Sequence, residues 1–221
     1  MITSANTWRA LASPMSPHLR PLHLCLAALP ALFATVPACA AGFDHPLTPS
    51  NTGIWSTRYT HGLEIAAIAT EFGGAIWLGD RSDLGRTCWQ AIDATVFSAA
   101  AAQGVKWATG RKRPSQSSSP DQWFQGMKYQ SFPSGEVTLQ ASFVTPIVLN
   151  YREREPWVWA LELLPAYDAA ARVKQGAHWQ TDVLAGWALG SGFGYLAART
   201  GTPIILSALP HGFAVGIRYS W

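Results

Sequence analysis

Three short stretches of this sequence hold residues that can act together chemically. Lys106 is followed, after six intervening residues, by Arg113-Pro114. Pro133-Ser134-Gly135-Glu136 comes next, and the third stretch runs from Arg172 through five residues to His178 and through three more to Asp182. Three cations around one point suit a phosphate, whose charge and planar oxygen edges favour arginine. Ser134 and Gly135 at a helix start offer a hydroxyl and free backbone N–H groups, a favourable place for an anion. Gly135 also permits close backbone approach. His178 and Asp182 lie four apart, so a helix would put them on one face. Asp182 is expected to accept a hydrogen bond from one imidazole nitrogen and leave the other free to attack phosphorus. The product is a phosphohistidine, with the cations stabilising charge on the equatorial oxygens. An acid must then protonate the departing alkoxide, and a water must be activated. None of these steps asks for a metal ion or cofactor.

The ordered set resembles the signature of the type-2 phosphatidic acid phosphatases (PAP2), a superfamily that includes bacterial class A acid phosphatases and vanadium haloperoxidases. The resemblance covers residues 106–182. It implies a compact all-α bundle with His178 as nucleophile and Asp182 as its partner. It also implies Lys106, Arg113, Ser134, Gly135 and Arg172 as phosphate-binding residues. The implied substrates are phosphomonoesters or lipid and isoprenoid (pyro)phosphates. Two positions depart from the family pattern. The second motif usually reads Pro-Ser-Gly-His, and its histidine is assigned as acid to the leaving group; here the position is Glu136, which is expected to take over that role. The third motif usually begins Ser-Arg; here it is Ala171-Arg172, one hydroxyl fewer. Two other readings share the pocket. One is a catalytically weakened protein that binds phosphate or lipid phosphate. The other is a haloperoxidase carrying vanadate on His178, although those enzymes are much larger.

The first 40 residues read as a signal peptide. Arg9 and Arg20 precede an apolar run, Leu22 to Val36, that ends at Ala38-Cys39-Ala40. This is the basic, apolar, small-residue layout of a secretory leader. The expected result is a periplasmic domain over residues 41–221. A lipidated Cys39 or an uncleaved membrane anchor are the alternatives, and the proline-broken run is short for a spanning helix. Beyond residue 40, 13 acids face 14 lysines and arginines, a net charge of +1 that is no footprint of a nucleic-acid surface. The partners expected are a phosphorylated small molecule or lipid, with peripheral membrane contact as a further expectation. Cys88 is the only cysteine past the leader, so neither an intrachain disulfide nor a thiolate zinc site is available.

The elements that must position these residues read as helices. Residues 41–60 look irregular, and Gly62 to Leu78 reads as a buried apolar helix with Glu64 and Glu71 as exceptions. Leu84 to Thr109 has apolar residues at helical spacing, a cap in Ser82 or Asp83, and Gly110 as its stop. Residues 111–132 form a long loop. Helices are expected over Glu136–Asn150, within Arg152–Val173, and over His178–Arg199. Thr202–Leu206 and Phe213–Trp221 alternate as a C-terminal β-hairpin would. Arg111 and Lys112 read as surface charges. Trp123, Phe124 and Tyr129 are candidates for a substrate entry. Gly190 and Gly194 read as sites of close helix packing, Arg152 to Glu155 as a solvated helix start, and His45, His61 and His211 carry no assignment.

Overall fold

Local capping starts the helices. In the computed structural model, which describes residues 42–200 and 203–205, Asn51 Oδ1 accepts from the Thr57 N–H at 2.7 Å. Helix α1 follows, Thr57–Leu78, five residues earlier than Gly62 because the Asn51 and Ser56 caps are already in place. Ser82 Oγ accepts from the Gly85 N–H at 3.0 Å and opens α2, Asp83–Thr109. Gly110 stops α2 in the left-handed region, at φ 48° and ψ 42°, a conformation glycine adopts without penalty. Helix α3 spans Gly135–Tyr151. A 3-10 helix, Pro156–Glu162, leads into α4, Leu163–Lys174, and α5 spans Gln180–Arg199. Arg152 caps the end of α3, so Arg152 to Glu155 is an exposed connection rather than a helix start.

Helix α3 is central and packs on α1, α2, α4 and α5. Its Phe143, Val144 and Val148 form the main core with Ala67, Ala91 and Val158. Each large side chain buried this way contributes about 1.5–3 kcal/mol. The contact of α3 with α5 depends on Gly186, Gly190 and Gly194, one per turn. A Cβ at Gly190 would lie 2.2 Å from the Thr138 carbonyl oxygen, and one at Gly186 2.5 Å from that of Ser134. The backbones therefore approach closely, and the N-terminus of α5 is held beside that of α3.

The described residues contain helices and turns and no strand, which establishes an all-α domain. Of the hairpin segments only Pro203–Ile205 are described, and there Ile204 and Ile205 are helical; Asp93 holds their N–H groups at 2.5 and 3.0 Å. The rest of the expected hairpin and the residues read as a signal peptide lie outside the described residues. Helix α1 is not buried as expected. Ile65, Phe72, Ile76 and Trp77 are 66%, 42%, 58% and 83% exposed, because only the face with Thr60, Ala67, Glu71 and Ala75 meets the bundle. Among the described residues no helix is long and apolar enough to cross a membrane.

Candidate functional site

The cations come from the ends of two helices. Lys106 lies in the last turn of α2, buried, with Nζ donating to the carbonyls of Gln130 at 3.1 Å and Pro133 at 2.5 Å. Desolvation lowers its pKa to about 8, and repulsion from Arg113 and Arg172 adds to that. Arg113 follows the break at Gly110. Its guanidinium has no hydrogen-bond or ion-pair partner among the described residues, and burial followed by the charge of Arg172 lowers its pKa. Arg172 closes α4 and reaches Gln175 Oε1 at 3.0 Å and Glu136 Oε2 at 2.9 Å. The charges of these three side chains thus act on one another.

Two of these charges also act on His178. It is 2% exposed, and burial with the charges of Lys106 and Arg113 takes its pKa to about 4, against the pull of Asp182. Its Nδ1 lies 2.7 Å from the Ser131 carbonyl oxygen, an obligate acceptor. Nδ1 therefore carries the hydrogen, and Nε2 keeps a lone pair. The expected bond to Asp182 is not formed: Nδ1 is 3.7 Å from Asp182 Oδ2. The reason is that His178 precedes α5 instead of starting it, with Trp179 as N-cap. Asp182 instead accepts from the Trp179 N–H at 2.8 Å, Ser131 Oγ at 2.5 Å and Arg111 Nη1 at 2.6 Å. Burial alone would raise the Asp182 pKa; the His178, Arg111 and Ser131 side chains outweigh it and hold the group low. Asp182 thus fixes the Ser131–His178 framework rather than touching the imidazole directly.

The helix start at Ser134 differs in detail from expectation. The Ser134 N–H is taken by the Asp182 carbonyl at 2.9 Å, so it is not free for an anion. Its Oγ is buried without a partner. The N–H groups of Gly135 and Glu136 have no acceptor among the described residues, as first-turn donors do. Lys106 Cε passes 3.7 Å from where a Gly135 Cβ would stand, so the ammonium group lies against this helix start.

Arg111 is the largest departure from the sequence reading. It is fully buried, not a surface charge, and pairs with Asp44 Oδ2 at 2.7 Å and Asp182 Oδ1 at 2.6 Å. Pro120 O and Thr181 Oγ1 accept its remaining hydrogens, and Trp123 lies 4.1 Å beneath the guanidinium. Trp123 is therefore a packing partner of Arg111, while Phe124 is exposed and Tyr129 half-buried beside Lys112. No local signal marks this, since the burial of Arg111 depends on an acid far away in the chain, Asp44. Asp44, in the stretch read as irregular, ties the lead-in to Thr181 N at 2.8 Å. His61, given no role from sequence, places Nε2 3.4 Å from Glu136 Oε1.

The fold and this site define a class: a helical domain in which the charges of Lys106, Arg113 and Arg172 lie close to one another and to a buried histidine. A family model described as the PAP2 superfamily matches residues 88–204, more than half of the chain and all eight residues of the predicted site. The chain belongs to the PAP2 superfamily. It is 33% identical over 70 residues to an undecaprenyl-diphosphatase of Sulfolobus acidocaldarius, covering 31% of this chain and 32% of that protein. The chain thus spans about a third of the length of that relative. No solved structure matches it.

Proposed function

We propose that this chain is a phosphatase that hydrolyses lipid or isoprenoid phosphates and diphosphates, or simpler phosphomonoesters, through His178. One observation carries the reading. The charges of Arg113 and Arg172 act on the buried Lys106, that of Arg172 acts on Arg113, and those of Lys106 and Arg113 act on the buried His178. That assembly gains most by admitting an anion. His178 Nε2 attacks phosphorus, the P–O bond to the leaving group breaks, and the departing oxygen takes a proton. Glu136, supplied through the exposed His61, is assigned that proton transfer. Water then attacks the phosphohistidine, the P–N bond breaks and inorganic phosphate leaves. Lys106, Arg113, Arg172, the Ser134 hydroxyl and the Gly135 N–H are assigned to the phosphoryl oxygens.

Two surface features support an apolar substrate over a small soluble one. An open groove of about 460 Å³ is lined by Ile54, Arg58, Tyr59, Gly62, Leu63 and Tyr167. The exposed stripe Ile65, Ile68, Phe72 and Ile76 continues along α1 on the side that carries His61. Both suit an apolar tail or a lipid surface, in keeping with secretion to the periplasm through residues 1–40. The purified protein and its His178→Ala variant, assayed on aryl, alkyl and prenyl phosphates, test the proposal. The variant should lose about a thousandfold or more in turnover. Acid-labile, base-stable phosphate should be trapped on the protein only when His178 is present. Equal turnover by both proteins would remove His178 from the reaction.

A further inference from the structure

Beside the anion pocket, and sharing Glu136 with it, three side chains of unlike origin converge. His61 and Glu64 come from α1, and Glu136 from the first turn of α3. One ligand atom from each lies within 4.8 Å of the others. The histidine is more than half exposed and Glu136 is 19% exposed, so solvent reaches the cluster. One imidazole nitrogen with two carboxylate oxygens is a donor set of borderline and hard atoms, the type that first-row divalent cations take.

A second observation is independent of that geometry. Asp168, one turn before Arg172 on α4, is 2% exposed, and neither of its oxygens has a hydrogen-bond partner. Buried carboxylates without partners are costly. Desolvation raises Asp168 to about 7, and the negative charge of Glu136, then that of Glu64, adds to it. Glu64 is raised as well, by burial and then by Glu136. Three carboxylates therefore share this corner, and Arg172 is the permanent cation that acts on all three.

We propose that His61, Glu64 and Glu136, whose ligand atoms lie within 4.8 Å of one another, form a binding site for a divalent cation of the Zn²⁺ class. With three protein ligands, a four-coordinate zinc keeps one position for water. The binding itself is independent of the phosphatase reading. One consequence rests on that reading: a cation here occupies both groups of the His61–Glu136 proton route, so its binding inhibits turnover.

Calorimetric titration of the purified protein with Zn²⁺ alone tests the site. The expected result is saturable binding of one cation per chain, weakened at least about tenfold in His61→Ala and in Glu64→Gln. Circular dichroism melting verifies that both variants remain folded. Absence of saturable binding, or binding unchanged in both folded variants, overturns the proposal. Turnover of an alkyl phosphate measured beside it separates the two ideas. Binding without inhibition leaves the cation site standing and removes the proton route through Glu136.

Discussion

Lys106 and His178 sit where burial and neighbouring cations work against their protonation, and the signs fix a pH window. His178 must be neutral to attack, so kcat/KM should fall as pH drops through about 4. Lys106 must be charged to hold phosphate, so kcat/KM should also fall as pH rises through about 8. Between these limits both groups are in their working forms. Lys106→Arg keeps its charge at any accessible pH. It should move the alkaline limb upward by about a unit or more and leave the acid limb in place. A pH series on an aryl phosphate, corrected for the substrate's own ionisation, reads both limbs; an unmoved alkaline limb would clear Lys106 of this role. At this scale the residues with motif spacing were legible. Arg111 was not, because its burial depends on Asp44, 67 positions away, and on Trp123 stacking beneath it. The Nδ1 partner of His178 was equally hidden, since a backbone carbonyl leaves no mark in a residue-type pattern.

The helices show which local signals survive packing. Ser82, Gly110 and the Pro133-Ser134-Gly135 break mark boundaries by backbone chemistry alone, and the structure keeps them. Helix α1 was misjudged because a nearly continuous apolar run gives no face to prefer, and the bundle uses only one. The glycines of α5 were read as packing residues, and Gly190 and Gly194 are so used. A Gly190→Ala change should destabilise by about 1–3 kcal/mol in urea unfolding, since its methyl group meets backbone that cannot retreat. Gly192→Ala faces open space and should be neutral or stabilising by about 0.5–1 kcal/mol, as alanine is the better helix former. Equal effects at the two positions would show that α3 and α5 do not depend on this close contact.

At the scale of the molecule, the proposed anion pocket and the exposed apolar stripe of α1 adjoin at the His61–Glu136 contact. Replacing Ile65 and Phe72 by serine removes apolar area without touching the pocket. Turnover of a lipid phosphate carried in vesicles should fall by about fivefold or more, while turnover of a soluble aryl phosphate stays unchanged. Parallel losses on both substrates would assign the stripe to folding or to a protein partner. The sequence by itself determined the helical class, the family and the chemical types in the pocket, because motif order, caps and apolar periodicity are local properties of the chain. The tertiary structure decided which nitrogen of His178 stays free, that Arg111 and Asp44 brace Asp182, and that His61 and Glu64 reach Glu136. Those outcomes depend on which helix faces meet, and that is settled by close backbone approach and burial across distances the local pattern does not encode.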